Sequence, residues 1–222
     1  MINRFGKVSS VVVACLAIAA ASAPGAQAVE FHSSSTHTLL TGSQLTTHQF
    51  SVGSGFGAIS CKTAEATATA ATATSTTQSV TGTYSSCVDS FGRATHIATN
   101  GCNYKFHATA KKEADVYTGT AALECSVGKS IELKITSSGV TVCTVTISAQ
   151  SGLGPLTFKD ETGGSKKAIN ISANVNNIKT TTAGGLFNCG IANGEHTAGT
   201  YTGDTLIQGT DTVGAAVNIW VE

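Results

Sequence analysis

Charged and aromatic residues are scarce in this sequence. Asp, Glu, Lys and Arg make up 12% of its 222 residues and aromatic residues 6%, with two prolines and one tryptophan. The 13 basic residues are balanced by 13 acidic ones and form no stripe that would follow a phosphate backbone. They also form no polybasic segment that would hold an anionic membrane. We therefore expect no nucleic acid among the partners of this protein.

Catalytic and metal-binding motifs are missing too. The sequence contains no G-x-S-x-G, no H-E-x-x-H and no S-x-x-K with its partner motifs. Its only adjacent acidic pair, Asp160-Glu161, precedes a Gly-Gly turn and is interpreted as a solvated loop tip. We predict that the protein is not an enzyme and has no catalytic residue, cofactor or metal site. The alternative is a secreted hydrolase whose triad is assembled only in the folded chain, because a triad is defined by geometry.

Only the start of the chain carries a long apolar run. Arg4 and Lys7 precede apolar residues from Val11 to about Ala23, and Ala26-Gln27-Ala28 has the small-x-small form of a cleavage site. This pattern predicts a signal peptide over residues 1–28 that is removed in the mature protein. We therefore expect the protein to be secreted, in the extracellular space or in the cell envelope.

Neither membrane insertion nor a lipid anchor is expected. The apolar run is too short to cross a bilayer, which takes about 20 apolar residues, and no later stretch approaches that length. Val12-Val13-Ala14-Cys15 has the form of a lipobox. The run continues past Cys15, however, whereas a lipobox cysteine closes the apolar region.

An even number of cysteines follows the signal peptide. An even count in an exported protein predicts three disulfides, for which 15 connectivities exist. Turn signals at Asp89–Gly92 and at Ser137–Gly139 favour two local links, Cys87–Cys102 and Cys125–Cys143. These links would leave Cys61 to pair with Cys189. No two of the six cysteines are closer than 15 residues, which argues against a zinc site.

Apolar and polar residues alternate with a period of two along much of the chain. Val140 to Ile147 is interpreted as an alternating segment with Thr at the outward positions, and Ile131 to Ile135 alternates with Glu132 and Lys134 at the outward positions. This pattern is typical of half-buried antiparallel strands, of which we count roughly ten to thirteen. No segment has the pattern of an amphipathic helix. We predict an all-β protein with a single antiparallel β-sandwich domain over residues 29–222, a jelly roll being one form of it.

A short pattern with Thr-Gly at its centre occurs three times. The flanking residues of the three copies do not match, so we interpret it as a local pattern at the start of strands and not as a domain repeat. The copies are Val80-Thr81-Gly82-Thr83, Tyr117-Thr118-Gly119-Thr120 and Tyr201-Thr202-Gly203-Asp204.

Three further segments carry a resemblance to known sequences. They are Tyr84-Ser85-Ser86-Cys87, the stretch from Asn100 to Phe106, and Cys143-Thr144-Val145-Thr146-Ile147 with Gln150. In combination they resemble a group of uncharacterised secreted proteins of actinobacteria, over roughly Cys61 to the C-terminus. The resemblance implies a bacterial, exported, disulfide-bonded β domain and adds no catalytic residue.

Two functions of a secreted, non-enzymatic β domain compete. One is a structural or interaction protein that associates with cell-envelope components or with itself, using a C-terminal strand, Val217 to Val221, at a sheet edge. The other is a carbohydrate-binding module, which needs aromatic rings on one face; the candidates for such a ligand face are Trp220, Tyr201 and Tyr117. We expect the first function because the tyrosines are scattered and only one tryptophan is present.

Overall fold

The structure is a computed structural model that describes residues 28–163 and 166–222. The expected signal peptide therefore lies, apart from Ala28, outside the described residues. The described residues form sixteen strands and one short helix. Their bounds are β1 (Phe31–Ser33), β2 (Thr38–Gln44), β3 (His48–Ser51), β4 (Ile59–Ala70), β5 (Thr74–Ser75), β6 (Thr77–Asp89), β7 (Ala94–Ala98), β8 (Asn103–Glu113), β9 (Val116–Glu124), β10 (Ile131–Ser137), β11 (Val140–Ile147), β12 (Gln150–Gly163), β13 (Lys166–Ala183), α1 (Leu186–Cys189), β14 (Gly194–Thr210), β15 (Ala216–Val217) and β16 (Ile219–Val221).

Eight strands close into a ring because each is hydrogen-bonded to a neighbour on both sides. The order around this upper ring is β4, β6, β8, β9, β12, β13, β14, β2 and back to β4. A lower ring shares β4, β6, β13 and β14 with the upper one and is completed by β7, β10, β11 and β3. The shared strands change partners along their length: residues 77–80 of β6 pair with β8, whereas Cys87 and Val88 pair with β7. The two rings are therefore the two halves of one closed tube of antiparallel strands.

Alternate residues of the strands fill the interior of the tube. On β10, Ile131, Leu133 and Ile135 are buried, while Glu132 and Lys134 lie between them on the outer face and form an ion pair with a 3.0 Å N–O distance. The period-two pattern of the sequence thus corresponds to inward and outward side chains, as strand geometry requires.

A small three-stranded sheet of β16, β1 and β5, here called the cap, covers one end of the upper ring. Phe31 pairs with Val221 and Ser33 with Ile219, and all four side chains are buried. The ring of Phe31 meets that of Phe158 edge-on, with centroids 5.3 Å apart. Because Phe158 belongs to β12, this contact joins the cap to the upper ring.

The prediction of an all-β, antiparallel, disulfide-linked protein is confirmed. A sandwich consists of two separate sheets, whereas here the strands of both rings belong to one sheet that closes on itself. The pairings therefore do not establish the finer expectation of a sandwich or jelly roll. The sequence pattern underestimates the number of strands because β1, β5, β15 and β16 are only two or three residues long. In the described part of the chain, no helix is long and apolar enough to cross a membrane.

All six cysteines expected in disulfides do form them, but the predicted pairing is wrong. The bonds are Cys61–Cys87, Cys102–Cys125 and Cys143–Cys189. Across the predicted turn after β6, Cys87 lies opposite Thr95 and not opposite a cysteine. Its partner Cys61 lies opposite it on β4, the neighbour on the other side. The turn was predicted at the right place, but the link crosses to a strand that is distant in sequence.

The second predicted link fails for a similar reason. The turn at Ser137–Gly139 does separate β10 from β11, but the residue opposite Cys143 is Ile135. Cys125 precedes β10 and joins Cys102 instead, which closes the open end of the β8–β9 hairpin. Three disulfides indicate an oxidising environment, extracellular or in the cell envelope.

We expect the paired substitution Cys61→Ala/Cys87→Ala to lower the free energy of unfolding by about 3 kcal/mol, because the bond shortens the free chain of the unfolded state. The two cysteines are 26 residues apart. Denaturant unfolding of the variant and of the wild type measures the difference. Non-reducing peptide mapping checks the connectivity, and a Cys87–Cys102 peptide would contradict it.

Candidate functional site

Four polar side chains meet inside the tube where the upper ring passes into the lower one. His48 comes from β3, Tyr84 from β6, Tyr104 from β8 and Tyr201 from β14. We call these four residues the polar cluster. Each side chain points inward because it occupies an interior position of its strand, and all four line the same cavity. The cluster therefore lies where apolar side chains would otherwise fill the core.

A backbone carbonyl determines which nitrogen of His48 carries the proton. Nε2 of His48 lies 3.2 Å from the carbonyl oxygen of Asp204 and 3.2 Å from Oγ1 of Thr205. A carbonyl can only accept, so Nε2 carries the hydrogen. Burial lowers the pKa of His48 below its ordinary value. The hydrogen bond to the Asp204 carbonyl and the charge of the Asp204 carboxylate raise the pKa, but by less. The imidazole is therefore neutral near pH 7, and Nδ1 accepts a hydrogen bond from the hydroxyl of Tyr201 at 2.5 Å.

The tyrosine hydroxyls continue this hydrogen-bonded line. The hydroxyl of Tyr84 donates to that of Tyr104 at 3.0 Å and lies 3.4 Å from that of Tyr201. Each hydroxyl has a single proton. Tyr201 donates its proton to Nδ1 of His48, and Tyr84 donates its proton to the hydroxyl oxygen of Tyr104. The proton of Tyr104 consequently has no acceptor in the part of the chain that the structure describes.

Burial keeps the three hydroxyls protonated. It raises the pKa of Tyr84 and of Tyr104 well above the ordinary value, and it raises the pKa of Tyr201 as well. The charge that a neighbouring tyrosine would carry adds to the shift in each case. The cluster therefore presents neutral hydroxyls to its surroundings and carries no net charge near neutral pH.

The cavity beside the polar cluster, here called the central cavity, has a volume of about 130 Å³. Apart from the cluster its walls are almost entirely aliphatic and aromatic, with Val80, Phe106, Leu123, Ile171 and Ile207 as examples. No Lys or Arg side chain is among the described residues that line it. The central cavity is thus an apolar space with hydrogen-bonding groups at one side, which is the usual composition of a small-molecule site.

Two further cavities adjoin the central one. A mouth cavity of about 230 Å³ lies between the cap and the upper ring, and its walls include Phe31 and Ile219 of the cap. It shares Val80, Phe106 and two isoleucines with the central cavity. A lower cavity of about 40 Å³ lies on the other side of the polar cluster. The four residues of the cluster line this lower cavity and the central cavity. The cluster therefore separates the lower cavity from a longer space that extends to the cap. This space is apolar beside the cluster, whereas serine, threonine, His32 and Gln78 side chains are among the residues that line its mouth.

The Thr-Gly pattern of the sequence supplies the room for these rings. A Cβ atom on Gly203 would lie 2.7 Å from two ring atoms of His48, and one on Gly82 would lie 2.9 Å from Cε2 of Tyr104. A Cβ on Gly119 would lie 2.6 Å from the ring of Phe158. The expectation that the pattern marks the start of strands holds for the copy at the start of β9 but is wrong for the copies within β6 and β14. All three glycines are on the interior face of their strands. They allow large rings to lie flat against the backbone.

The three aromatic residues expected to form a ligand face do not share one. Tyr201 belongs to the polar cluster, and Tyr117 is buried on β9 outside the lining of the central cavity. Trp220 is half-buried on the outer face of the cap. It stacks on His32 with ring centroids 5.2 Å apart, and the ammonium of Lys167 lies 5.4 Å from its ring centroid. Sequence alone does not assign the face of Trp220, because this residue lies between two apolar neighbours, Ile219 and Val221.

The adjacent acidic pair is not a loop tip, as was expected, but part of strand β12. Oδ1 of Asp160 accepts a hydrogen bond from the amide of Val221 at 2.9 Å and so holds the cap strand β16. Burial raises the pKa of Asp160 to about 6; the Val221 amide and Lys167 lower it, and Asp115 and Glu222 raise it. The single strand expected over Val217–Val221 is divided in the structure. Val217 belongs to β15, which pairs with β14, whereas Ile219–Val221 form β16, which pairs with β1 and whose Val221 amide binds this carboxylate.

Other arrangements of reactive side chains are not found among the described residues. Residues 28–163 and 166–222 bring together no group of three or more His, Cys, Asp and Glu side chains suited to a metal ion. Within these ranges no serine hydroxyl is hydrogen-bonded to a histidine; His196, for example, contacts the hydroxyl of Thr182 at 3.0 Å. The polar cluster is consequently the most extensive contact among uncharged polar side chains inside the tube.

No protein-family model, curated protein or solved structure matches this chain. The resemblance to secreted actinobacterial proteins therefore stays a prediction. No pattern in the sequence marks His48 as part of a site. The spacing of Tyr84 two residues after Gly82, and of Tyr201 two residues before Gly203, does place each ring on the same strand face as its glycine.

We expect Gly203→Ala to lower the free energy of unfolding by about 1–3 kcal/mol, since the added methyl group would displace the ring of His48 inside a packed core. Thr202→Ala is the matched control, because Thr202 is its exposed neighbour on the outer face. That control should change stability by less than about 0.5 kcal/mol. Denaturant unfolding measures both, and equal effects would contradict the close approach of His48 to β14.

We also expect Asp160→Asn to alter the pH dependence of stability. Because the folded state holds the Asp160 proton up to a pKa of about 6, against an ordinary 3.8, it binds more protons than the unfolded state between these values. This group therefore contributes stability at low pH that is lost as the pH rises from about 4 to about 6. His48 acts oppositely: its pKa is lowered, so its contribution is lost as the pH falls below 6.5.

Unfolding of wild type and Asp160→Asn at several pH values between 4 and 7 isolates the effect of Asp160, because both proteins retain His48. Asparagine preserves the acceptor for the Val221 amide. The difference in stability, variant minus wild type, should increase as the pH rises through the window given by the two pKa values. A difference that stays constant with pH would show that the Asp160 carboxyl titrates normally.

Proposed function

We propose that this protein is an exported, non-enzymatic binding protein that holds a small apolar molecule inside its tube of strands. The observation that carries the proposal is the central cavity of about 130 Å³, which has apolar walls and continues into the mouth cavity beneath the cap. Enclosed apolar cavities with a few polar groups are the usual sites for small apolar ligands.

The chemistry of the polar cluster supports binding over catalysis. A nucleophile or general base has to give up or accept a proton near neutral pH. The hydroxyls of Tyr84, Tyr104 and Tyr201 are instead held protonated by burial. His48 has both nitrogens engaged within the cluster and its surrounding backbone. A hidden hydrolase triad, the alternative drawn from the sequence, receives no support from these contacts.

The closed strand pairing supports binding over self-association. Association through strands needs an edge with free backbone groups. Each of the eight strands of the upper ring has a partner on both sides, so these strands form no free sheet edge. In the cap, the Val221 amide is already bonded to Asp160. The edge strands of the cap, β5 and β16, are only two and three residues long, so they offer little backbone for pairing with another chain.

Carbohydrate binding is supported less well than binding inside the cavity. Sugar rings stack on exposed aromatic planes. The indole of Trp220 already stacks on His32 and has the ammonium of Lys167 near its ring. Tyr117 and Tyr201 lie inside the tube, so Trp220 has neither of its expected companions. Secretion, which the leading apolar run predicts, agrees with the oxidising environment that three disulfides indicate.

The test uses N-phenyl-naphthylamine, a neutral dye that becomes fluorescent in apolar surroundings. We expect the dye to bind the wild-type protein and to bind Ala121→Leu about tenfold more weakly, the change that corresponds to losing about 1.4 kcal/mol of contact. Ala121 is buried and lines the central cavity, so the larger side chain would occupy the space of the dye.

Ala122→Leu is the matched control, because Ala122 is the next residue of β9 and faces outward. It should bind the dye like the wild type. Thermal unfolding should show both variants folded, since Ala121→Leu fills existing space. Absence of dye binding to the wild type, or equal binding by the two variants, would overturn the proposed function.

A further inference from the structure

We propose that the ligand is a neutral, elongated apolar molecule with a hydrogen-bond acceptor at one end, and that this acceptor binds the hydroxyl of Tyr104. The inference rests on the proposed function and specifies it. It assigns the ligand class, the orientation of the ligand and the residue that selects it. The acceptor can be a ketone, quinone, ester or ether oxygen, since these share the same hydrogen-bonding chemistry.

The requirement for an acceptor follows from the protons of the polar cluster. The Asp204 carbonyl makes His48 a donor at Nε2 and an acceptor at Nδ1. Nδ1 accepts a hydrogen bond from the hydroxyl of Tyr201. Tyr84 donates to Tyr104. The hydroxyl proton of Tyr104 is the one left without an acceptor in the described residues. A buried donor without an acceptor costs free energy, which a ligand oxygen would recover.

The requirement for a neutral ligand follows from the lining. No Lys or Arg side chain is among the described residues that line the central and mouth cavities. His48 is neutral near pH 7 because burial lowers its pKa. A carboxylate in this space would be desolvated without a cation to pair with, which costs far more than one hydrogen bond returns. A cation would lose its hydration among walls whose one carboxylate in the described residues is that of Glu65, an exposed side chain.

The elongated shape follows from the arrangement of the cavities. The central cavity alone, at about 130 Å³, is comparable with the ~150 Å³ apolar cavity that binds benzene. The mouth cavity adds about 230 Å³ on the side away from the polar cluster and shares Val80 and Phe106 with it. A molecule with its oxygen at Tyr104 would therefore extend its apolar part toward Phe31 of the cap.

The test compares three ligands of similar shape in displacement of N-phenyl-naphthylamine. Methyl naphthyl ketone carries an acceptor, isopropylnaphthalene carries none, and naphthoate is an anion. We expect the ratio of the ketone affinity to the hydrocarbon affinity to be at least about fivefold higher for the wild-type protein than for Tyr104→Phe, the change that one net hydrogen bond gives. Tyr104→Phe removes the donor and keeps the ring, so it buries the ketone oxygen without a partner and should favour the hydrocarbon. Naphthoate should bind more weakly than the ketone to both proteins.

Tyr117→Phe is the matched control, since Tyr117 is a buried tyrosine outside the lining of the central cavity. It should retain the wild-type ratio of ketone affinity to hydrocarbon affinity. A second measurement needs no variant: the carbonyl stretching band of the ketone bound to wild type should lie at lower frequency than in a hydrocarbon solvent. An unshifted band would overturn the inference even if Tyr104→Phe failed to fold.

The outcomes separate this inference from the proposed function. A ratio of ketone affinity to hydrocarbon affinity that is equal in the wild type and in Tyr104→Phe would overturn the role of Tyr104 while cavity binding stands. Naphthoate bound as tightly as the ketone would overturn the neutral class. Failure of the dye to bind the wild type at all would instead remove the proposed function itself.

Discussion

Closure of the strand pairing is the constraint on which the rest of this structure depends. A chain with so few charges has little else to protect exposed strand edges. In the upper and lower rings each strand finds a partner on both sides, so the backbone amides and carbonyls are used within the tube. The same closure defines an inside, and alternate side chains of each strand must fill it. Where they do not fill it completely, a cavity remains.

The polar cluster is tolerated in the core because its members are hydrogen-bonded to one another, with the Tyr104 proton as the one that lacks an acceptor in the described residues. A buried hydroxyl or imidazole without a partner weakens a fold. Here His48 is hydrogen-bonded to the Asp204 carbonyl on one side and to Tyr201 on the other, and Tyr84 is hydrogen-bonded to Tyr104. The glycines that face the cluster are part of the same arrangement. Gly203 and Gly82 lie where a side chain would collide with His48 or Tyr104.

Strand period and turn positions were predictable from sequence, whereas partners distant along the chain were not. Val140 to Ile147 and Ile131 to Ile135 form β11 and β10 as their alternation predicts. The disulfide pairing failed because Cys61 and Cys87 meet through the β4–β6 pairing, which no local pattern indicates. The polar cluster was missed for the same reason. His48 and Tyr201 are 153 residues apart and become neighbours only when β3 pairs with β14.

The cap has a consequence for the order in which the chain folds. Its strands come from positions near 31, 74 and 220, so its pairing closes the longest loop in the described chain. Contacts between such distant segments carry the highest loop-closure entropy and form slowly. The hairpins of the tube, such as β8–β9 and β10–β11, close much shorter loops. The pairing that closes the tube, with Leu39 opposite Thr210, joins segments almost as distant as those of the cap. We therefore expect closure of the tube and of the cap to follow these hairpins, so that the interior is sealed as a late step of folding.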